Sequence, residues 1–478
     1  MGAALPLGAL RAAVTRPKLL VLVVLEQLRS DALDGLLPQF GPNGLKKLLS
    51  KSAQFPNCEH LASTFSSSTL ATLATGAWPA QHGIVADAWL ENNSVTQASA
   101  EALLATTLLA QVAAEPKNRA FVIGMTASQA SLFAGTSKAR LFFRSPRGQV
   151  TTLGETPAWL VQFNTAKPID AAYNSKWMAL DARAGAPPLR TLTYDAEHPQ
   201  EFLNLYNGSP AGQEAQLDLL GTLIEQEKLG QGEGTDVVCL IAGATAVLGY
   251  ETGGHSPLLR QLLLNLDRNF ETLLARLSKT PGDPNFAMVL AGAHGAPPAP
   301  EEETRARMAV NGESVAKLVD TALSGASSGR VRRYLYPFLY LNPILTRDPE
   351  TVRIAAGRVA MEHPAVAGFY TAGGMCSTRG GWETRFRNSF HFKRSGDVMI
   401  SYKPEYVEYY GEGRGISYGS LYNYDTRVPL YFYGPQFRPG AIETAVQSID
   451  VAPTLARLTG VAEPSSSTGR VLAEAFVA

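Results

Sequence analysis

The sequence predicts an α/β fold: a doubly wound, mostly parallel central sheet with helices on both faces and a small inserted α+β subdomain. Three observations predict it. Continuous apolar runs such as Leu19-Leu-Val-Leu-Val-Val-Leu25 suit strands covered on both faces. Runs of this kind alternate with stretches of helical period. The chain has 478 residues, 45% apolar and 18% charged, enough for a large core and typical of a globular protein.

Taken in order, Leu19–Leu25 reads as a central strand. Asn43 opens a short amphipathic helix, GLKKLLSKS. Ser66–Ser68 stand ahead of a helical stretch, TLATLAT, which Gly76 stops. Arg119–Met125 is a second strand. From about 142 to 234 the pattern loosens, with one clear helix near Glu214–Glu227; the glycines at 230, 232 and 234 follow no strand and read as a turn. Val237–Ile241 is another buried strand. Ser256-Pro257 starts a helix that runs to about Ser278 with leucines on one stripe. Phe286–Ala291 is a strand. A helix, a strand at Pro337–Leu341, a helix at Pro349–Glu362 and a further strand-like run make up the subdomain. Asp397–Tyr402 and Val428–Tyr433 are late strands, and Asp450–Leu458 is a final helix ended by Gly460. The division expected is a core of 17–314 and 391–478 with a cap of 315–390.

Composition excludes several classes. Lys+Arg and Asp+Glu are 42 each, so a broad basic face is not expected and nucleic acid is not an expected partner. Three cysteines leave no disulfide framework and no CxxC motif. Seven histidines include no HxxxH pair. No apolar run reaches the roughly 18–20 residues of a membrane span. The first residues, MGAALPLGALRAAVTRPK, make a poor export signal, so the expectation is a cytoplasmic protein, reversed if the true start lies upstream.

In a doubly wound sheet the site lies beyond the carboxyl ends of the strands. Glu26 follows the first strand and could be a general base or a metal ligand, or a solvated acid. Ser63–Thr69 offers hydroxyls at a helix start, for capping or for nucleophilic attack. Ala242–Ala246 offers no titratable group. His294 follows the Phe286–Ala291 strand. Read alone, these residues do not supply the several anionic and imidazole ligands of two-metal phosphoryl chemistry.

Several segments stand in a collinear order: VLEQLRSDALD, STFSSSTLATLATGAWPAQHGIVADAW, ATAVLGYETGGHSPLLRQLLLNLDRNFETLL, MVLAGAHGAPPAPEE, the stretch from Ser395 to Pro435, and SIDVAPTLARLTGV. Together they resemble the alkaline phosphatase superfamily, in its type I phosphodiesterase/nucleotide pyrophosphatase-like branch. The resemblance implies a two-zinc phosphoester hydrolase with a Thr or Ser nucleophile. It places a metal ligand on Glu26 and the nucleophile on Ser66. His294 keeps an imidazole. Four ligand positions fall on Ala246, Tyr250, Ala293 and Tyr418, none of which is a usual zinc ligand. The positions that contact phosphate fall on Asp87, which would repel it, and on Ala127 and Gln129 in place of a basic pair.

Two readings follow. One is a catalytically inactive or strongly impaired homologue that acts by binding, with no cofactor and an unknown partner. The other is a phosphomonoester or phosphodiester hydrolase that uses one zinc at most, held by Glu26, Ser66 and His294, on a small phosphoester.

Overall fold

The computed structural model describes residues 15–297, 308–324, 329–342, 348–378, 381–404, 406–408 and 418–477. The start of the poor export signal, the end of the MVLAGAHGAPPAPEE segment, and Ile416 and Ser417 before Tyr418 lie outside the described residues.

Leu19–Leu25 is a strand with every residue buried. Leu19, Val21, Val23 and Leu25 join one apolar cluster, and Leu20, Leu22 and Val24 join another on the opposite face. Successive side chains of a strand point to opposite faces, so a run with no polar residue demands cover on both sides. The first face is covered by Pro257–Leu277, the other by Ser66–Thr75 and Val451–Thr459.

Among the described residues the large sheet has nine strands. In spatial order they are Gly440–Ala441, Ser52–Gln54, Leu430–Tyr433, Phe286–Gly292, Leu19–Leu25, Asp236–Ala242, Arg119–Ile123, Arg140–Arg144 and Val150–Thr152. The central pairings are parallel, and Leu430–Tyr433 and Val150–Thr152 run antiparallel to their inner neighbours. Leu25 is level with Ala242 on one side and Gly292 on the other. Register therefore brings Glu26, the start of the Ala244–Thr252 helix and His294 to one end of the strands.

Two sequence expectations are corrected. The loosely patterned region contributes two strands of the large sheet, Arg140–Arg144 and Val150–Thr152, and further helices at Ala158–Ala166 and Pro199–Asn207. Those strands are short and only half covered, so their apolar pattern is weak. Val398–Tyr402, placed with the core from sequence, pairs instead with Phe338–Leu341 and Val366–Thr371 in a second, antiparallel sheet. This sheet packs one face on its own helices, Gly312–Ser324 and Pro349–Ala360. From its other face Phe338, Tyr340, Tyr370 and Met399 pack with Phe65, Ile84, Val85 and Trp89. That contact seats the smaller sheet against the segment that carries Ser66.

The Pro257–Leu277 helix starts as its sequence predicts: Ser256 Oγ accepts from Leu259 N at 3.0 Å. Replacing Ser256 by Ala orphans that donor and is expected to lower stability by about 1 kcal/mol, read by urea denaturation.

Candidate functional site

Glu26 is buried directly past the central strand. Its carboxylate accepts the Ser66 hydroxyl on one oxygen and Gln129 Nε2, at 3.0 Å, on the other. Removal from water dominates its proton affinity, Asp87 adds repulsion, and the two hydrogen bonds only partly compensate. The carboxyl is pushed up from 4.5 to about 7. Thr245 Oγ1 donates to the Glu26 carbonyl at 2.5 Å and ties the next strand end to it.

Ser66 lies inside the first turn of the Ser66–Thr75 helix, not ahead of it as the sequence suggested. The N-cap is Phe65, which has no capping side chain. The exposed donors of this helix start are met from elsewhere: Asp87 Oδ1 accepts Ser67 N at 2.9 Å. Asp87 Oδ2 accepts the Tyr418 hydroxyl at 3.3 Å. Gly76 ends the helix at φ 68°, a left-handed conformation that favours glycine.

His294 is fully buried. Its Nδ1 lies 2.9 Å from the Gly295 carbonyl, so Nδ1 carries the proton. Nε2 then faces inward as an acceptor and has no hydrogen-bond partner. Burial lowers the imidazole from 6.5 to about 4. The Tyr418 ring lies against it, with centroids 4.6 Å apart.

The remaining sequence-picked positions divide. Ala293 is buried in the core cluster behind the strand ends, and its N–H donates to Leu25 O at 2.9 Å. Ala246 and Tyr250 lie on the Ala244–Thr252 helix, both half-buried. Ala127 opens the Ala127–Ala134 helix, whose start is capped by Thr126 accepting from Gln129 N at 3.2 Å. Hydrogen bonds and a ring contact thus join Glu26 with Ser66 and Gln129, and Asp87 with the Ser66–Thr75 helix start, Tyr418 and, through Tyr418, His294.

Sequence reasoning missed two contributors. Gln27 is fully buried with φ 51°, and neither end of its carboxamide has a hydrogen-bond partner. Nothing in a Glu-Gln-Leu-Arg run signals a left-handed, unpaired glutamine. Asp425 lies within the stretch from Ser395 to Pro435, where no local pattern marks it as part of a site. It is buried, accepts Ser420 N at 3.2 Å, and desolvation raises it from 3.8 to about 7.

Whether this set fits two zinc ions can be tested on donor chemistry. Two methyl groups and two neutral phenols stand at the four implied ligand positions, and both Glu26 oxygens are engaged by protein donors. Among the described residues no three His, Cys, Asp or Glu side chains converge on a common point. The residues present do not fit a two-zinc centre.

The sequence profile of the type I phosphodiesterase / nucleotide pyrophosphatase family matches residues 20–423. The chain is 25% identical to alkaline phosphatase PafA of Elizabethkingia meningoseptica, across 97% of this chain and 95% of the relative. It is 24% identical to a protein named calcium-transporting ATPase from Myroides odoratus, across 96% and 95%. The crystal structure of wild-type PafA superposes with a TM-score of 0.82 at 21% identity, covering 97% of this chain and 100% of that one. The likeness of fold agrees with the predicted doubly wound sheet. The chain belongs to the type I phosphodiesterase / nucleotide pyrophosphatase family of phosphoester hydrolases, within the alkaline phosphatase superfamily.

Proposed function

We infer that this chain has given up two-metal phosphoester hydrolysis and acts by binding. The observation that carries the reading is the fate of the ligand positions. Ala293 is packed into the apolar core, and Tyr418 lays its ring on His294 and its hydroxyl on Asp87. A carboxylate kept at position 293 without a cation would be buried and unpaired, at a cost of several kcal/mol, and an imidazole at 418 would lose its partner. A methyl and a hydrogen-bonded phenol avoid that cost.

A second reading keeps one metal. Glu26, Ser66 and the free Nε2 of His294 are three donors, the number a catalytic zinc requires. In that case the Ser66 oxygen would be the nucleophile, and a bound cation would lower its pKa and screen the phosphoester charge. Glu26 would hold the hydroxyl in place, and Gln129 would hold Glu26.

Zinc content of the purified chain after zinc exposure and desalting separates the two. Losing even an outer-shell partner costs roughly 10–100-fold in metal affinity, so four absent ligands predict zinc near zero. Turnover of p-nitrophenyl phosphate is expected at the buffer background. About one zinc per chain, with turnover lost in Ser66→Ala and His294→Ala, would establish the one-metal hydrolase instead.

A further inference from the structure

We propose that Asn43 is a site of spontaneous covalent modification: in the folded protein its side chain closes onto the Gly44 nitrogen, loses ammonia and is converted to aspartate and isoaspartate.

The chemistry is that of an Asn-Gly pair. The backbone nitrogen of the glycine attacks the side-chain carbonyl carbon of the asparagine. A new carbon–nitrogen bond forms, and the bond from that carbon to the amide nitrogen breaks. The amide leaves as ammonia with the proton that the glycine N–H gives up. Water then opens the cyclic imide at one carbonyl or the other, to aspartate or to isoaspartate, and no oxidant or cofactor is needed. Glycine assists because it has no Cβ to block the approach and tolerates the backbone twist that the ring imposes. The attack also requires a glycine N–H that is not held in a hydrogen bond and a side chain free to turn.

The sequence holds three such pairs, Asn43-Gly44, Asn207-Gly208 and Asn311-Gly312. The fold closes two of them. Asn207 ends the Pro199–Asn207 helix, and the N–H of the buried Gly208 donates to Asn204 O at 3.0 Å. Gly312 is also buried, and its N–H donates to Glu408 Oε1 at 3.2 Å while Asn311 Oδ1 accepts Glu313 N at 3.1 Å. Asn43 differs on each count. It is exposed, in the turn ahead of the Leu45–Ser50 helix. Asp267 takes the N–H groups on either side, those of Gly41 and Leu45, and among the described residues no hydrogen bond holds that of Gly44. The Asn43 amide donates to Glu271 Oε1 at 3.0 Å, on the surface, where water competes for it.

The products fit poorly. Aspartate at 43 sets a carboxylate against Glu271 in place of a donor. Isoaspartate lengthens the backbone by one carbon beside Gly44, where a Cβ would already lie 2.2 Å from the Asp267 carbonyl. The bonds from Gly41 and Leu45 to Asp267 depend on that close approach, so the modified protein is expected to unfold at lower urea.

The test ages the full-length protein in warm, mildly alkaline buffer made with oxygen-18 water and maps the label by peptide mass spectrometry. Label is expected to enter at Asn43 at least about tenfold faster than at Asn207 or Asn311. In denaturing urea the three rates should converge, because the fold no longer sets them apart. Asn43→Gln, whose ring would be six-membered, should take up no label at 43, and ageing should lower the urea midpoint of wild type but not of this variant. The wild-type comparison stands alone if the variant does not fold. Label entering Asn43 of the folded protein no faster than the other two overturns the proposal, and so does a rate ratio that urea leaves unchanged.

Discussion

Glu26→Gln is expected to stabilise the folded protein by about 3 kcal/mol at pH 8 and by little at pH 4, measured by urea denaturation at both values. Burial holds the Glu26 carboxyl at about 7 in the folded state, against about 4.5 in the unfolded chain. A carboxyl raised on folding keeps its proton longer in the native state. Its contribution to stability is therefore lost as pH rises from about 4.5 through 7, and the deficit is constant above that. Glutamine does not ionise, so it removes the deficit. It also fits the contacts: its oxygen can accept Gln129 Nε2, and its amide can donate to the Ser66 oxygen. A stability difference between wild type and Glu26→Gln that does not change between pH 4 and 8 would refute this account. The buried histidines act in the opposite sense. His60 and His294 are held at about 3 and about 4, so their stability is present above about 6.5 and lost on acidification.

Asp267→Ala should cost about 3 kcal/mol, the second large effect. Asp267 lies on the buried face of the Pro257–Leu277 helix. Its two oxygens accept Gly41 N and Leu45 N, each at 2.7 Å. The second of these donors opens the Leu45–Ser50 helix, which has no cap of its own. Alanine would leave both N–H groups unpaired beside the core. The packing there is close: a Cβ on Gly44 would lie 2.2 Å from the Asp267 carbonyl. Asp267→Asn retains one acceptor oxygen, so an intermediate loss is expected. Equal stability of wild type and Asp267→Ala in urea would show that water replaces the carboxylate at no cost.

The local rules were readable wherever one segment settles its own structure. Ser256-Pro257 announces a capped helix, Gly460 ends Val451–Thr459 in a left-handed turn, and the unbroken apolar run at Leu19 announces a strand buried on both faces. The region from 142 to 234 was poorly readable because its strands are short, lie at the sheet edge or next to it, and are only partly buried, so little of the core acts on their sequence. Val398–Tyr402 looks like any buried strand. Its membership of the smaller sheet depends on pairing with residues about 30 and 60 positions away, and no local signal encodes the partner.

The candidate site divides in the same way. By itself the sequence determined the residue types: a carboxylate at 26, a hydroxyl at 66, an imidazole at 294, and alanine or tyrosine at four ligand positions. Side-chain chemistry is a property of one residue and needs no fold to be known. Only the tertiary structure decided how those groups are used. It put the Ser66 hydroxyl on Glu26, brought Asp87 to the helix start, and raised Glu26 toward neutrality by burial. Distance and desolvation are set by which segments pack together. They arise where three strand ends, one helix start and the Tyr418 loop meet, and none of those segments carries them alone.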